Sequence, residues 1–171
     1  ANINTAVGYQ ALLVNTTGEE NVAVGYTALD ANTTGVSNVG IGSGALGTNA
    51  QGDNSTAVGT NALFTQNPSG NADMNNTAVG YYALRLSTTG TNNTAVGSSA
   101  LTANTTGADN TAIGKDALKD PTTASYNTAV GALANENNTT GASNVAVGRA
   151  ALNENSTGSQ NVAIGRSALL A

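Results

Sequence analysis

Any chemistry done by this 171-residue chain has to use hydroxyls, amides and a few charges, because it contains no His and no Cys. That excludes zinc sites of the Cys/His kind and nucleophilic catalysis centred on His or Cys. Ten acidic residues are present, and clustered carboxylates could bind calcium. They do not recur at one place in any pattern: Glu19, Asp53, Asp116 and Glu154 each have a different neighbourhood. The Gly-Gly-x-Gly-x-Asp calcium repeat is absent. No G-x-G-x-x-G follows a strand into a helix, so the glycines do not form a nucleotide loop. No catalytic residue, cofactor or metal ligand is expected, and the chain is read as not an enzyme.

Charge and hydropathy narrow the partners. Five basic residues against ten acidic give a net charge of −5, which argues against binding a phosphate backbone. The longest run of large apolar residues is Leu12-Leu13-Val14, far short of a membrane span. Neither nucleic acid nor membrane contact is expected of this segment. Zero Cys means only that no disulfide is needed.

What remains is repetition. A short apolar pair followed by Gly recurs ten times, at Gly8, Gly25, Gly42, Gly59, Gly80, Gly97, Gly114, Gly131, Gly148 and Gly165. Eight of the nine intervals are 17 residues and one is 21, the longer turn falling near residues 64–75. Aligned on that Gly, the preceding residue is always Val or Ile. The residue two before is Ala in nine copies, with Gly40 the exception. The residue four before is Asn in nine copies, with Ser55 the exception. Four after the Gly stands Leu in nine copies, with Asn135 the exception and Leu133 two residues earlier. A second turn follows, typically Asn-Thr-Thr-Gly.

A 17-residue unit is too short for a helical-hairpin repeat. β-Branched residues at alternate places, punctuated by Asn and Gly, predict short strands. Gly supplies positive φ without steric cost and Asn tolerates it. Each unit is therefore read as two short strands and two turns, one coil of a parallel β-solenoid. The fold class is all-β: about ten coils forming a single domain over 1–171, the alternative being a disordered low-complexity tract.

Strand alternation puts Val/Ile on one face and Ala with Asn on the other. The expectation is that the Val column points inward, opposite the Leu column. The Ala column, Ala6, Ala23, Ala57, Ala78, Ala95, Ala112, Ala129, Ala146 and Ala163, then faces outward. Such a uniformly small column would let a second chain approach, so it is predicted to pack between chains. Two large aliphatic side chains per coil are a thin core for 17 ordered residues. A homotrimer with the Ala-bearing strands around its axis would supply the missing burial. Both ends lack capping coils, which implies either a piece of a longer fibre protein or ends that stack on neighbours.

The units Asn21-Val-Ala-Val-Gly25 and Asn161-Val-Ala-Ile-Gly165, each followed by x-x-Ala, resemble the head repeats of YadA-like trimeric autotransporter adhesins. Similar repeats occur in the shafts of phage tail fibres. The resemblance runs through essentially the whole chain. It implies a left-handed trimeric β-roll on a surface fibre, extracellular, at a cell surface or on a virion, that binds a host or matrix ligand. The coil here is longer than the usual adhesin unit. No coiled-coil stalk, membrane anchor or tail-fibre chaperone domain is present.

Four surface features bear on what such a rod does. The position after the Gly varies and carries Tyr9, Tyr26, Tyr81, Lys115, Arg149 and Arg166, a column that could bind a host-surface protein or glycan or could simply drift at the surface. Asn-x-Ser/Thr sequons occur at Asn15, Asn32, Asn54, Asn75, Asn92, Asn104, Asn137, Asn138 and Asn155, where turn chemistry explains the Asn without any sugar. Thr-rich turns invite an ice-binding reading, but adjacent Thr16 and Thr17 point to opposite faces if extended, and the other Thr column alternates with Val as an inward column would. The resulting expectation is a structural and adhesive fibre segment. The alternative is a self-assembling filament subunit with coil ends stacked and no ligand.

Overall fold

A computed structural model describes residues 3–170 of the chain. The strands are β1 (Thr5–Val7), β2 (Val22–Val24), β3 (Val39–Ile41), β4 (Gly52–Asp53), β5 (Thr56–Val58), β6 (Ala72–Asp73), β7 (Thr77–Val79), β8 (Thr94–Val96), β9 (Thr111–Ile113), β10 (Thr128–Val130), β11 (Val145–Val147) and β12 (Val162–Ile164). Ten of them form one all-parallel sheet in the order β1-β2-β3-β5-β7-β8-β9-β10-β11-β12. Each pairs with the same position one repeat on, as Ala95 does with Ala112. This is a parallel β-solenoid of about nine turns, and no helix occurs among the described residues. Nine steps at the usual inter-strand spacing make a rod of about 43 Å.

Each coil carries one strand of the long sheet rather than the expected two. The segment after the Gly is a run of turns, and only β4 and β6 form a second, two-stranded sheet. That pair sits at the long insertion. It is shifted by one residue relative to the main sheet, Gly52 opposing Ala72 while Thr56 opposes Thr77. The slip turns Met74 into the interior, where it is 1 % exposed.

The inward face is the reverse of the one expected. Ala23, Ala57, Ala78, Ala95, Ala112, Ala129, Ala146 and Ala163 are all buried inside their own chain, packed on the Leu column. Only Ala6, in the first rung, is exposed. The Val/Ile column points outward instead: Val7 is 58 % exposed, Ile113 42 % and Ile164 71 %. The Ala column is therefore the interior wall of the coil, not a contact between chains.

Interior depth decides this. At Gly40, the one rung lacking the Ala methyl, an added Cβ would lie 3.2 Å from the Ala45 carbonyl oxygen and 3.2 Å from the Leu29 side chain. A methyl is the largest group that fits between the strand and the opposite wall. Val there would overpack the coil against Leu, at a cost of about 1–3 kcal/mol per rung.

Asn completes the interior. Asn110 is wholly buried. Its Nδ2 donates to the Ala124 carbonyl at 2.8 Å, and its Oδ1 accepts the backbone N–H of Asn127 at 3.0 Å. Asn38, Asn93, Asn127 and Asn144 repeat both contacts one or more rungs away. The amide thus ties its own coil closed and ties the next coil on. At the break, Ser55 is too short to reach. Gln66 fills the space, donating from Nε2 to Ser55 Oγ at 3.0 Å and accepting from Asn76 Nδ2 at 2.9 Å.

Positive φ is not confined to Gly and Asn. The Leu column itself is left-handed throughout, from 45° at Leu118 to 53° at Leu12 and Leu152. For an aliphatic residue this costs about 1–2 kcal/mol. Full burial of Leu, worth about 1.5–3 kcal/mol, offsets it, as does a backbone bond to the next rung such as Leu101 N–H to the Ala117 carbonyl at 3.1 Å.

Candidate functional site

The outer side of the ten-stranded sheet is an exposed surface that runs the length of the sheet. Alternation within the three-residue strands gives two outward columns, and an exposed column flanks them on each side. The two middle columns are the ten Val/Ile residues and, two positions earlier, six Thr and four Val. No charged residue stands in either. The flanking columns are polar or aromatic apart from Ile3 and Ala132. One runs through Asp109, Tyr126 and Ser143, and the other through Tyr81, Lys115, Ala132 and Arg149. The face is about 43 Å long, and its strands are three residues each.

An apolar centre with a polar rim is the anatomy of a protein interface. The column that carries it is the Val/Ile one, which the sequence reading placed inside. Alternation gave the right pairing of columns and the wrong assignment of in and out. The Thr column that alternates with Val also lies on this outer face, so one of the two grounds for setting the ice-binding reading aside is removed.

The variable column after the Gly is exposed as expected. Tyr9 and Tyr26 are 65 % and 58 % exposed and stack at 5.5 Å between ring centroids, 11° from parallel. Arg149 and Arg166 lie open at the surface, and Lys115 reaches Asp116 at 2.8 Å. Tyr81 belongs to a denser group that the column alone did not predict. It stacks on Tyr82 at 3.9 Å, and the Arg85 guanidinium sits 4.7 Å from the centre of the Tyr82 ring. The Tyr81 hydroxyl's hydrogen bond to Tyr82 holds the Tyr82 hydroxyl below the ordinary tyrosine range and Tyr81 above it. Phe64, one rung below, lies against Gly44 and Gly47. Two glycines in the turn segment of one rung, followed by Phe, then Tyr-Tyr-x-x-Arg, was the available signal.

The sequons divide by burial. Asn32, Asn104 and Asn138 are buried, each donating from Nδ2 to a carbonyl three residues on, at 3.2, 2.9 and 2.8 Å. A glycan cannot be attached there while the turn is closed. Asn54, Asn75 and Asn92 are exposed.

Among the described residues no group of three or more acidic side chains is gathered as a metal site, and no helix is long and apolar enough to cross a membrane. No protein-family model, curated protein or solved structure matches the chain. The fold and its outer face are thus the ground on which a function is argued.

Proposed function

We propose that this chain is a structural and adhesive segment of a homotrimeric fibre, extracellular, on a cell surface or on a virion, of the kind its resemblance to adhesin heads and tail-fibre shafts implies. The observation that carries the reading is the uncovered face of ten rungs of Val, Ile and Thr, with no charge in its two central columns. That face runs the whole length of the ten-stranded sheet, about 43 Å. A large apolar patch rimmed by polar groups marks association. Self-association through this face would also explain how a rod with so few large aliphatic residues in its interior is stable. The mechanism is mechanical: a stiff rod whose strands are hydrogen-bonded rung to rung along its length.

The adhesive contact in this reading falls on the aromatic group of Tyr81, Tyr82 and Arg85. Stacked rings beside a guanidinium suit the face of a sugar ring or a flat side chain on a host surface. Three copies on one trimer would combine weak contacts through avidity. The chain is assigned no reaction.

Equilibrium sedimentation tests the reading, with three times the chain mass expected. A chain sedimenting as a folded monomer would overturn it. Unlimited filaments by electron microscopy would favour the end-stacking subunit instead. One observation supports a second reading. Thr56, Thr77, Thr94, Thr111 and Thr128 stand on consecutive rungs of the flat outer face, the arrangement an ice surface would require. Thermal hysteresis from a monomeric chain would favour it, and its absence would close it.

A further inference from the structure

The turn segment of each coil carries a column five residues after the repeat Gly. On three successive rungs, those that follow β9, β10 and β11, this column reads Lys119, Glu136 and Asn153. Backbone hydrogen bonds hold the rungs together here: the Asp120 N–H donates to the Glu136 carbonyl at 3.1 Å and the Asn137 N–H to the Asn153 carbonyl at 3.2 Å. The side chains meet at the middle rung. Lys119 Nζ lies 3.7 Å from Glu136 Oε1, and Asn153 Nδ2 donates to Glu136 Oε2 at 3.1 Å. One carboxylate thus touches an amine on one side and a carboxamide on the other. Lys115, the other lysine, pairs with the next residue in sequence, Asp116, rather than with a carboxylate on a neighbouring rung.

The Asn153 side chain is held in place. The residue is 9 % exposed. Its Nδ2 also donates to the Leu133 carbonyl at 3.0 Å, and its Oδ1 accepts from Asn137 Nδ2 at 3.4 Å. These bonds turn Nδ2 toward the carboxylate, where a proton must arrive for that nitrogen to leave. They also set a donor at the oxygen on which charge collects when Cγ is attacked. The reach fits as well. Two rungs at the usual inter-strand spacing are about 9.6 Å apart. An extended lysine side chain, one amide bond and the Cβ and Cγ of an asparagine span about 10 Å.

We propose that Lys119 and Asn153 join in an isopeptide bond, with Glu136 as the catalytic proton carrier. The Lys119 ammonium gives a proton to Glu136, and the freed electron pair on Nζ forms a bond to Asn153 Cγ. Glu136 passes that proton to Nδ2, the Cγ–Nδ2 bond breaks, and its electron pair leaves with ammonia. The second proton lost by Nζ passes through Glu136 to the ammonia, which departs as ammonium and leaves the carboxylate restored. No oxidant or cofactor takes part. Fixing the three groups on neighbouring rungs supplies the proximity that amine–amide exchange lacks in solution, and the placed carboxylate supplies acid–base catalysis. The bond forms once per chain and turns over no substrate. It is a covalent strut across three rungs of a rod otherwise held by hydrogen bonds and packing. The strut lies within one chain, so it stands or falls separately from the trimeric reading.

Intact-mass spectrometry of the folded, unaltered chain tests this. The expected mass is that of the sequence less one ammonia. Tryptic digestion is expected to release residues 116–149 joined to residues 150–166, because trypsin no longer cuts after a linked Lys119. Lys119→Arg and Glu136→Gln, each checked for a β-type circular dichroism spectrum, are expected to show the full mass. The first keeps a positive charge beside Glu136 but offers no lysine amine, and the second keeps the side-chain shape but cannot carry the proton. Full mass in the unaltered chain would overturn the proposal. So would loss of ammonia with the two tryptic segments separate, which marks an asparagine closing on its own backbone. Loss of water would mark a bond to Glu136 in place of Asn153 and overturn it equally. A joined peptide that persisted in Glu136→Gln would overturn the role given to Glu136.

Discussion

Asn135 sits where nine other rungs carry Leu. It is wholly buried and neither its Oδ1 nor its Nδ2 has a partner. Leu133, two residues earlier, is on the surface side and does not replace it. Asn135→Leu is therefore expected to stabilise the coil by about 2 kcal/mol, the relief of an unpaired buried amide plus the burial of an aliphatic side chain. Thermal melting would show it, and an unchanged midpoint would mean the amide is satisfied by water. The second turn shows a coupled pair. Its glycine is needed for space rather than for φ: a Cβ at Gly35 would strike the Asn32 side chain and lie 2.6 Å from the Gly52 carbonyl oxygen. Where Pro121 removes that Asn side chain, Ala124 stands in place of the glycine and is 2 % exposed. Pro121→Asn alone should destabilise by about 1–3 kcal/mol through overpacking. Adding Ala124→Gly should recover it, a coupling that a double-mutant cycle measures.

At the scale of the element, the coil is closed by amides rather than by a large core. Asn110→Ala removes the acceptor of the Asn127 N–H and the donor to the Ala124 carbonyl together. Two buried groups left unpaired should cost about 2–5 kcal/mol, visible in denaturant midpoints. Gln66→Leu should cost about 1–3 kcal/mol for the same reason, because Ser55 alone cannot reach its neighbours. Much of this was legible from residue columns. The 17-residue interval announced one coil per unit, whereas the Asn column was read as turn punctuation and its hydrogen-bond ladder appeared only with the stacked rungs. The left-handed Leu was not legible, since Leu has no intrinsic preference for that region and adopts it only because the stacked rung supplies its hydrogen bonds. Nor was the single strand per coil. The segment after the Gly was read as a second strand, and its turns are imposed by the short circuit back to the next rung.

At the scale of the whole molecule, the uncovered Val/Ile face makes a prediction of its own. Val96→Lys sets a charge in the middle of an apolar column while the interior stays untouched. On the proposed trimeric reading it should leave the chain monomeric with an unchanged β-type circular dichroism spectrum. A variant that remained trimeric would place the interface elsewhere. The Val/Ile column of this face was visible in the sequence; that it points outward became visible only in three dimensions.

The sequence by itself determined the length of the coil, the parallel stacking, the site of the long turn and the residues that share a face. Register along a repeat is one-dimensional information, and it survives ten copies intact. The tertiary structure alone decided which face is inside. Period-two alternation offers two equivalent answers. The choice rests on the distance between the strand and the opposite wall, which admits a methyl group and excludes an isopropyl one.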